Sequence, residues 1–496
     1  MSFFDRKRWI DSRFKTQDSR RKTQDSRCKV AIVLICALCL VSWGLCPVSA
    51  WGQETLSLQE SIDMAMAENL SMKAAQEKVS TAEQKTKEAI AAMLPSLSAS
   101  GSYTYFGKLP TMIFDIDPSM FGLPSDLLES MGGGAQAQDS APNEIPVGQE
   151  DTYKAGLALQ QPIFMWGKLY NNYKQAKLNL EAAKQELEAV RQQVILDVTT
   201  SFYGILLTEQ LVKVAEMAVE QVQAHVKTAQ DLVDAGMATN FDLLRAKVQL
   251  ANIKSQFIRA RNGLELSKDS FKNIIGMELG AQVSVQGELV YQPVELDLDE
   301  LLTSAMENRP EIKQLRFQEQ AGRKLVSLAK AGSKPNLVFV ANHDWESYAD
   351  TPGDVFDRDE WKRSWNLTLA LNVPIFDGLA TRARVKQAES GLRQIQIGMD
   401  QLMDGIGLEV RAAYLSFQES QELLKAQEEA VQQAEESLRI ANLRYGNGMI
   451  TTVELMDAEL AFTQAQTNRF NALYDYTVAL AKLEKASASG LEKWVK

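Results

Sequence analysis

The chain states one pattern twice. Around Leu159 it reads LALQQPIF and around Leu371 it reads LALNVPIF, and each phrase opens a long, alanine-rich polar stretch. Pro162 and Pro374 stand 212 positions apart, as do the glycines Gly236 and Gly448 in DAGMATNFDLLRA and GNGMITTVELMDA. Upstream, LSLQESIDMAMAEN from Leu56 answers LDLDELLTSAMEN from Leu296, and LPSLSASGSY from Leu94 answers KPNLVFVANHDW from Lys334. There the offset is 240, as between Pro95 and Pro335, so 28 extra positions lie in the first copy between its paired prolines. A repeat of this size decides architecture before any local motif does. Each half has one order: short helix, helix, strand, loop, strand, very long helix, tip turn, long helix.

The first repeat is expected over 51–290, with strands near 96–106 and 152–164 and long helices near 167–234 and 238–275. The second is expected over 291–496, with strands near 336–345 and 361–375 and long helices near 378–445 and 451–488. Pro95, Pro162, Pro335 and Pro374 mark the helix–strand junctions.

Ahead of the repeats the composition changes. Met1 to Lys29 carries ten Lys or Arg against four Asp, Val30 to Cys46 is apolar, and Val48-Ser49-Ala50 supplies small residues. That order predicts a signal peptide over 1–50, cleaved after Ala50; an uncleaved anchor is the alternative, but the apolar run is shorter than the roughly 20 residues a spanning helix needs. All four cysteines fall in this leader. A mature chain without them has no disulfide, thiolate metal site or cysteine nucleophile. Its net charge becomes about −17, from −11 for the whole chain, which argues against nucleic acid as a partner.

The segments between the prolines alternate with period two. Leu97, Ala99, Tyr103 and Tyr105 fall on one face and Ser96, Ser98, Ser100, Ser102 and Thr104 on the other; Trp365, Leu367, Leu369, Leu371 and Val373 oppose Ser364, Asn366, Thr368 and Asn372. Aromatic residues collect toward the loop ends, at Tyr103, Tyr105, Tyr153, Trp345, Trp361 and Trp365, where an interfacial girdle sits. A soluble sheet with one wet face gives the same pattern in a single hairpin. The secretory leader, and the lack of a spare amphipathic helix to cover the apolar face, favour a membrane barrel. Four strands cannot close one, since the smallest have about eight, so the barrel must be shared between chains. The loop from Glu346 to Glu360 holds six acidic residues and one arginine, and the loop from Gly107 to Glu150 is rich in glycine and polar residues.

Gly167 to Asp234 and Gly378 to Tyr445 each run 68 residues without proline. As helices they are about 100 Å long, too long for a compact domain. Each turns at its glycine and returns, forming an antiparallel coiled-coil hairpin. No phosphate loop or nucleophile elbow occurs, and the only histidines, His225 and His343, lack ligand spacing. No enzyme, metal site or cofactor is expected.

Taken together, the doubled order, the PIF elements at Pro162 and Pro374 and the tips at Gly236 and Gly448 make the chain resemble the outer membrane efflux protein family, the TolC-like outer membrane factors. The resemblance covers essentially the whole chain after the leader. It implies an α+β, mostly α fold in which a homotrimer closes a 12-stranded transmembrane β-barrel, four strands per chain, continuous with a long antiparallel α-helical coiled-coil barrel. It implies an exit duct in the outer membrane lipid, its helical part in the periplasm, joined through a periplasmic adaptor (membrane fusion protein) to an inner-membrane pump of RND or ABC type, for efflux or type I secretion. It also implies a periplasmic aperture at Asp242, Tyr445, Glu454 and Asp457, with Gly236, Met237, Gly448 and Met449 as adaptor-docking tips. The Glu454 and Asp457 pair reads as peculiar to the second copy. Ile450 stands where the family can carry a basic residue, so an Arg-to-Asp clasp is not carried over. A non-conducting trimeric coiled-coil spacer or adhesin is the alternative; it explains the long helices but not the polar strand faces.

Overall fold

A computed structural model describes residues 54–109, 111–113, 144–146, 150–348 and 361–489. The leader with its cysteines, most of the first loop and positions 349–360 of the acidic loop lie outside the described residues. In chain order the elements are β1 (Glu54–Leu56), α1 (Leu58–Glu68), α2 (Leu70–Ala91), β2 (Ser96–Tyr105), β3 (Thr111–Ile113), β4 (Glu144–Pro146), β5 (Asp151–Phe164), α3 (Lys168–Asp234), α4 (Asn240–Ile275) and β6 (Val283–Val285). There follow α5 (Leu298–Asn308), α6 (Pro310–Lys330), a 3-10 turn (Ala331–Ser333), β7 (Asn336–Tyr348), β8 (Trp361–Asn372), α7 (Ala380–Gly446) and α8 (Thr452–Ser487). The molecule is mostly helical with a small antiparallel sheet. A small unit joins β1 to β6 in parallel, Glu54 opposite Val283 and Leu56 opposite Val285.

The sheet runs β2-β5-β7-β8, antiparallel throughout, so each repeat contributes one hairpin and the two meet between β5 and β7. Cross-strand partners share a face. Leu97, Leu159, Ala341 and Leu367 therefore line up across all four strands, as do Ser98, Ala158, Asn342 and Asn366 on the other face. Asn342 donates to the Asn366 side chain at 3.1 Å, and Lys154 pairs with Glu346 at 2.7 Å. On the apolar face Leu97, Trp365, Leu367, Leu369 and Leu371 are exposed.

The prolines sit where a missing N–H is tolerated. Pro95 and Pro335 immediately precede β2 and β7, and Pro162 stands in β5 where its pairing with β7 shifts register. Pro374 differs. The expected strand to 375 stops at Asn372, because β8 is a sheet edge and nothing among the described residues continues its ladder. Each junction turns into its long helix through two left-handed residues, Trp166 and Gly167 in the first copy and Gly378 and Leu379 in the second. The backbone device is repeated 212 positions on, but the glycine has changed places.

α3 and α7 are each 67 residues, about 100 Å long, and α4 and α8 are each 36. α3 pairs with α4, α7 with α8; α6 packs on both α3 and α7, and α8 also packs on α3. The shorter helices break at equivalent points. Asn69 accepts from Ser71 N and Met72 N to cap α2 and donates to the Ile274 carbonyl at 2.7 Å. Its counterpart 240 positions on, the buried Arg309, precedes Pro310 and holds Glu311 and Glu409, the latter at 2.5 Å. The largest core cluster gathers Ala305, Ile312, Ile406, Val410, Phe417, Leu424, Tyr476 and Leu483 from α5 to α8. No helix among the described residues is long and apolar enough to cross a membrane.

Candidate functional site at the hairpin tips

Both long hairpins turn through the same two devices. At the end of α3 the Met237 N–H donates to the Leu232 carbonyl at 2.8 Å and the Gly236 N–H to Val233 at 2.9 Å. At the end of α7 Met449 donates to Arg444 and Gly448 to Tyr445, each at 2.9 Å. These are Schellman endings, which need a left-handed residue. Gly236 (φ 72°) and Gly448 (φ 69°) supply it, and a β-carbon on either would meet nothing within 4 Å. Backbone conformation alone thus requires these glycines.

The return helices begin with capping boxes. Thr239 N donates to the Asp242 carboxylate at 3.2 Å and Asp242 N to the Thr239 hydroxyl at 3.3 Å. Thr451 N donates to Glu454 at 2.7 Å and Glu454 N to the Thr451 hydroxyl at 3.3 Å. Asp242 and Glu454 are 212 positions apart, so each is the other's counterpart and the acidic residue is not peculiar to the second copy. What differs is one helical turn on, where Asp457 corresponds to Arg245. The Thr451 backbone N–H, and then its hydroxyl, hold the Glu454 carboxyl below the usual glutamate range. A depressed acid stabilises its cap above the unfolded group's range and loses that support as pH falls through the folded value.

Glu454 and Asp457 are exposed, Asp242 is half-buried, and Ile450 packs beside a small tip core of Leu438, Ala441, Tyr445 and Leu455. Tyr445 departs from expectation. It is only 8% exposed, its ring packs at 5.1 Å from that of His225 and its hydroxyl lies 3.4 Å from the Thr452 hydroxyl. Within one chain it is an interhelix residue rather than a lining one. Met237 and Met449, by contrast, are 74% and 73% exposed. Phe241, Leu244 and Val248 continue an exposed apolar stripe along α4.

A second polar contact has no counterpart in the expectations. His225 on α3 and Glu459 on α8 are each 5% exposed, with Nδ1 and Oε1 3.6 Å apart. Each occupies a seam position, His225 between buried Val222 and Ala229 and Glu459 after buried Leu455. An ionisable residue on an otherwise apolar seam was the available signal.

The outer membrane efflux protein family matches residues 61–277 and 301–489, one segment for each repeat. The outer membrane protein TolC of Vibrio cholerae is 22% identical over 72% of this chain and 80% of its own. The alkaline protease secretion protein AprF of Pseudomonas aeruginosa is also 22% identical, over 67% of this chain and 69% of its own. Among solved structures, CusC, described in terms of transmembrane channel formation, superposes with a TM-score of 0.69 at 18% identity, covering 90% of this chain and 96% of that one.

Proposed function

The chain belongs to the outer membrane efflux protein family, and from that premise we propose that three copies form an outer-membrane exit duct. Four strands from each chain close a 12-stranded barrel, and the paired hairpins continue it as a tunnel into the periplasm. The duct conducts passively; it is not an enzyme. The observation that carries this reading is the sheet itself. Its edges, β2 and β8, have no further strand among the described residues, and its apolar face is exposed while serine, asparagine and charged residues occupy the other. A closed barrel in lipid satisfies both conditions at once. A non-conducting spacer gives the polar face no role.

In this reading the duct receives cargo from an inner-membrane pump of RND or ABC type through a periplasmic adaptor, for efflux or for type I secretion. The exposed Met237 and Met449 beside Gly236 and Gly448 offer the adaptor pliable apolar contact. Asp242, Glu454 and Asp457 repeat around the three-fold axis as rings of like charge that favour cations at the aperture, while Tyr445 supports that end from within the chain. The test is direct. Outer-membrane fractions should yield heat-modifiable trimers that conduct ions in planar bilayers; a soluble monomer without conductance overturns the proposal.

A further inference from the structure

We propose that the notch between the end of α6 and the start of α7 holds the phosphate of an anionic phospholipid, with Lys330 and Arg382 as its cations. This rests on the reading of the chain as an outer-membrane duct, and names what that duct meets at the periplasmic edge of the membrane.

The notch is a cavity of about 430 Å³, within the range of clefts that take small ligands. Ile375, Phe376, Leu379 and Val385 form its apolar part, and Lys330 and Arg382 line it from α6 and α7. Its two walls stand close: Thr381 is buried, and a β-carbon on Gly332 would come within 3.4 Å of the Thr381 hydroxyl. Asp377 also lines the cavity, but its carboxylate caps α7, accepting from the Thr381 N–H at 2.8 Å. The Lys330 side chain is 60% exposed and stands 3.7 Å from Glu389, beyond hydrogen-bond reach. Arg382 is exposed and joins no ion pair among the described residues. Two cations beside one carboxylate already engaged by the backbone leave the notch positive.

The apolar face of β8 leads into it. Leu367, Leu369 and Leu371 are exposed, and beyond the end of the strand Ile375 and Phe376 are 94% and 80% exposed. Exposed apolar side chains beside Lys and Arg are the composition of a lipid–water boundary, where acyl chains meet the first and phosphates the second. The doubled fold supplies an internal comparison. The first-copy counterparts of Lys330 and Arg382, 240 and 212 positions earlier, are Ile90 and Tyr170, both exposed. Ile163, Phe164 and Trp166 are exposed at the same junction. Both copies therefore present apolar or aromatic surface at this level, and the second alone adds the pair of cations.

A second copy of the chain is the rival occupant. In the proposed barrel the neighbouring copy's β2 pairs with β8, which ends at Asn372, short of the notch. β2 carries no acidic residue to meet the two cations. Charge complementarity favours a phosphate, onto which a guanidinium forks while an ammonium adds a point charge.

The experiment uses the intact trimer from nanodiscs of phosphatidylcholine and phosphatidylglycerol, with the lipid retained in detergent counted by mass spectrometry. Wild type should retain phosphatidylglycerol over phosphatidylcholine by ~10-fold, and Lys330→Gln combined with Arg382→Gln should abolish the preference. Arg384→Gln combined with Lys386→Gln removes the same charge outside the notch and should keep it. A wild type without preference, or equal loss in both double variants, overturns the site. So does displacement of the lipid by millimolar inorganic phosphate, which would make the notch a free-anion site. A Lys330 and Arg382 double variant that loses its trimer in lipid-free detergent assigns the notch to the neighbouring copy and also overturns it. If the chain proves a soluble monomer, the duct reading fails, and flotation with phosphatidylglycerol vesicles decides the notch. Wild type should then float and the Lys330 and Arg382 double variant should not; equal behaviour overturns the site.

Discussion

Glu484 shows what a single buried acid costs this architecture. It lies on α8 between Leu483 and Lys485, only 6% exposed, and its Oε1 has no hydrogen-bond partner among the described residues. Burial pushes its carboxyl up to about 8. A raised acid keeps a proton in the folded state that the unfolded chain releases, so folding loses stability as pH rises from the ordinary glutamate range to about 8. Glu484→Gln keeps the shape and removes the titration. Its unfolding free energy should match wild type near pH 4 and exceed it at pH 8, by on the order of a few kcal/mol; parallel pH profiles of stability would show that Glu484 ionises freely. At this scale the sequence was only partly legible. The tip glycines were readable, because a Schellman ending dictates residue type. The capping boxes are equally present as Thr239-x-x-Asp242 and Thr451-x-x-Glu454, but an acid just after a tip turn fits a ring of charge as well as a cap, and sequence spacing does not separate the two. Tyr445 was unreadable, since its burial depends on α3, which contributes His225 from more than two hundred positions away.

Elements were more legible than residues, for a physical reason. A period of two and a period of 3.6 survive in sequence whatever packs against them. β8 keeps strict alternation through Trp365, Leu367, Leu369 and Leu371, and the long helices keep a polar, alanine-rich composition without proline. Ends were harder. β8 stops short of Pro374 because it is an edge, while β5 runs through Pro162 because β7 accepts it at a register shift. The left-handed residues Trp166 and Leu379 gave no signal, neither being a residue type that favours that conformation. The face assignment has a sharp consequence for adjacent residues. In the proposed barrel Leu369→Lys places an ammonium on the lipid side and should cost about 2–4 kcal/mol at the bilayer midplane, reducing recovery of heat-modifiable trimer from the outer membrane. Thr368→Lys, one residue away on the polar face, should leave recovery near wild type. Equal recovery of the two variants would remove the distinction between lipid and lumen faces.

At the scale of the whole molecule, duplication and the proposed trimerisation together would give six near-equivalent hairpins around one axis, and charge at the tips becomes a matter of counting. Asp242 and Glu454 occupy the same place in the two copies, so in the proposed trimer the capping acids contribute like charge at all six tips. One turn further the copies oppose each other, Arg245 in the first and Asp457 in the second. Alternating signs cancel at long range but not at contact distance, where each ring is felt separately. In the proposed aperture, cation preference therefore depends on the three acids outnumbering Arg245 by three to one. Reversal potentials across a salt gradient should show the preference weakened by Glu454→Gln and by Asp457→Asn, further weakened in the double variant, and strengthened by Arg245→Ala. The Glu454 variant should also loosen its tip, because the same carboxylate caps α8, whereas Asp457→Asn should not. If all these trimers share the wild-type reversal potential, the constriction lies elsewhere along the duct and the tip acids serve only to begin their helices.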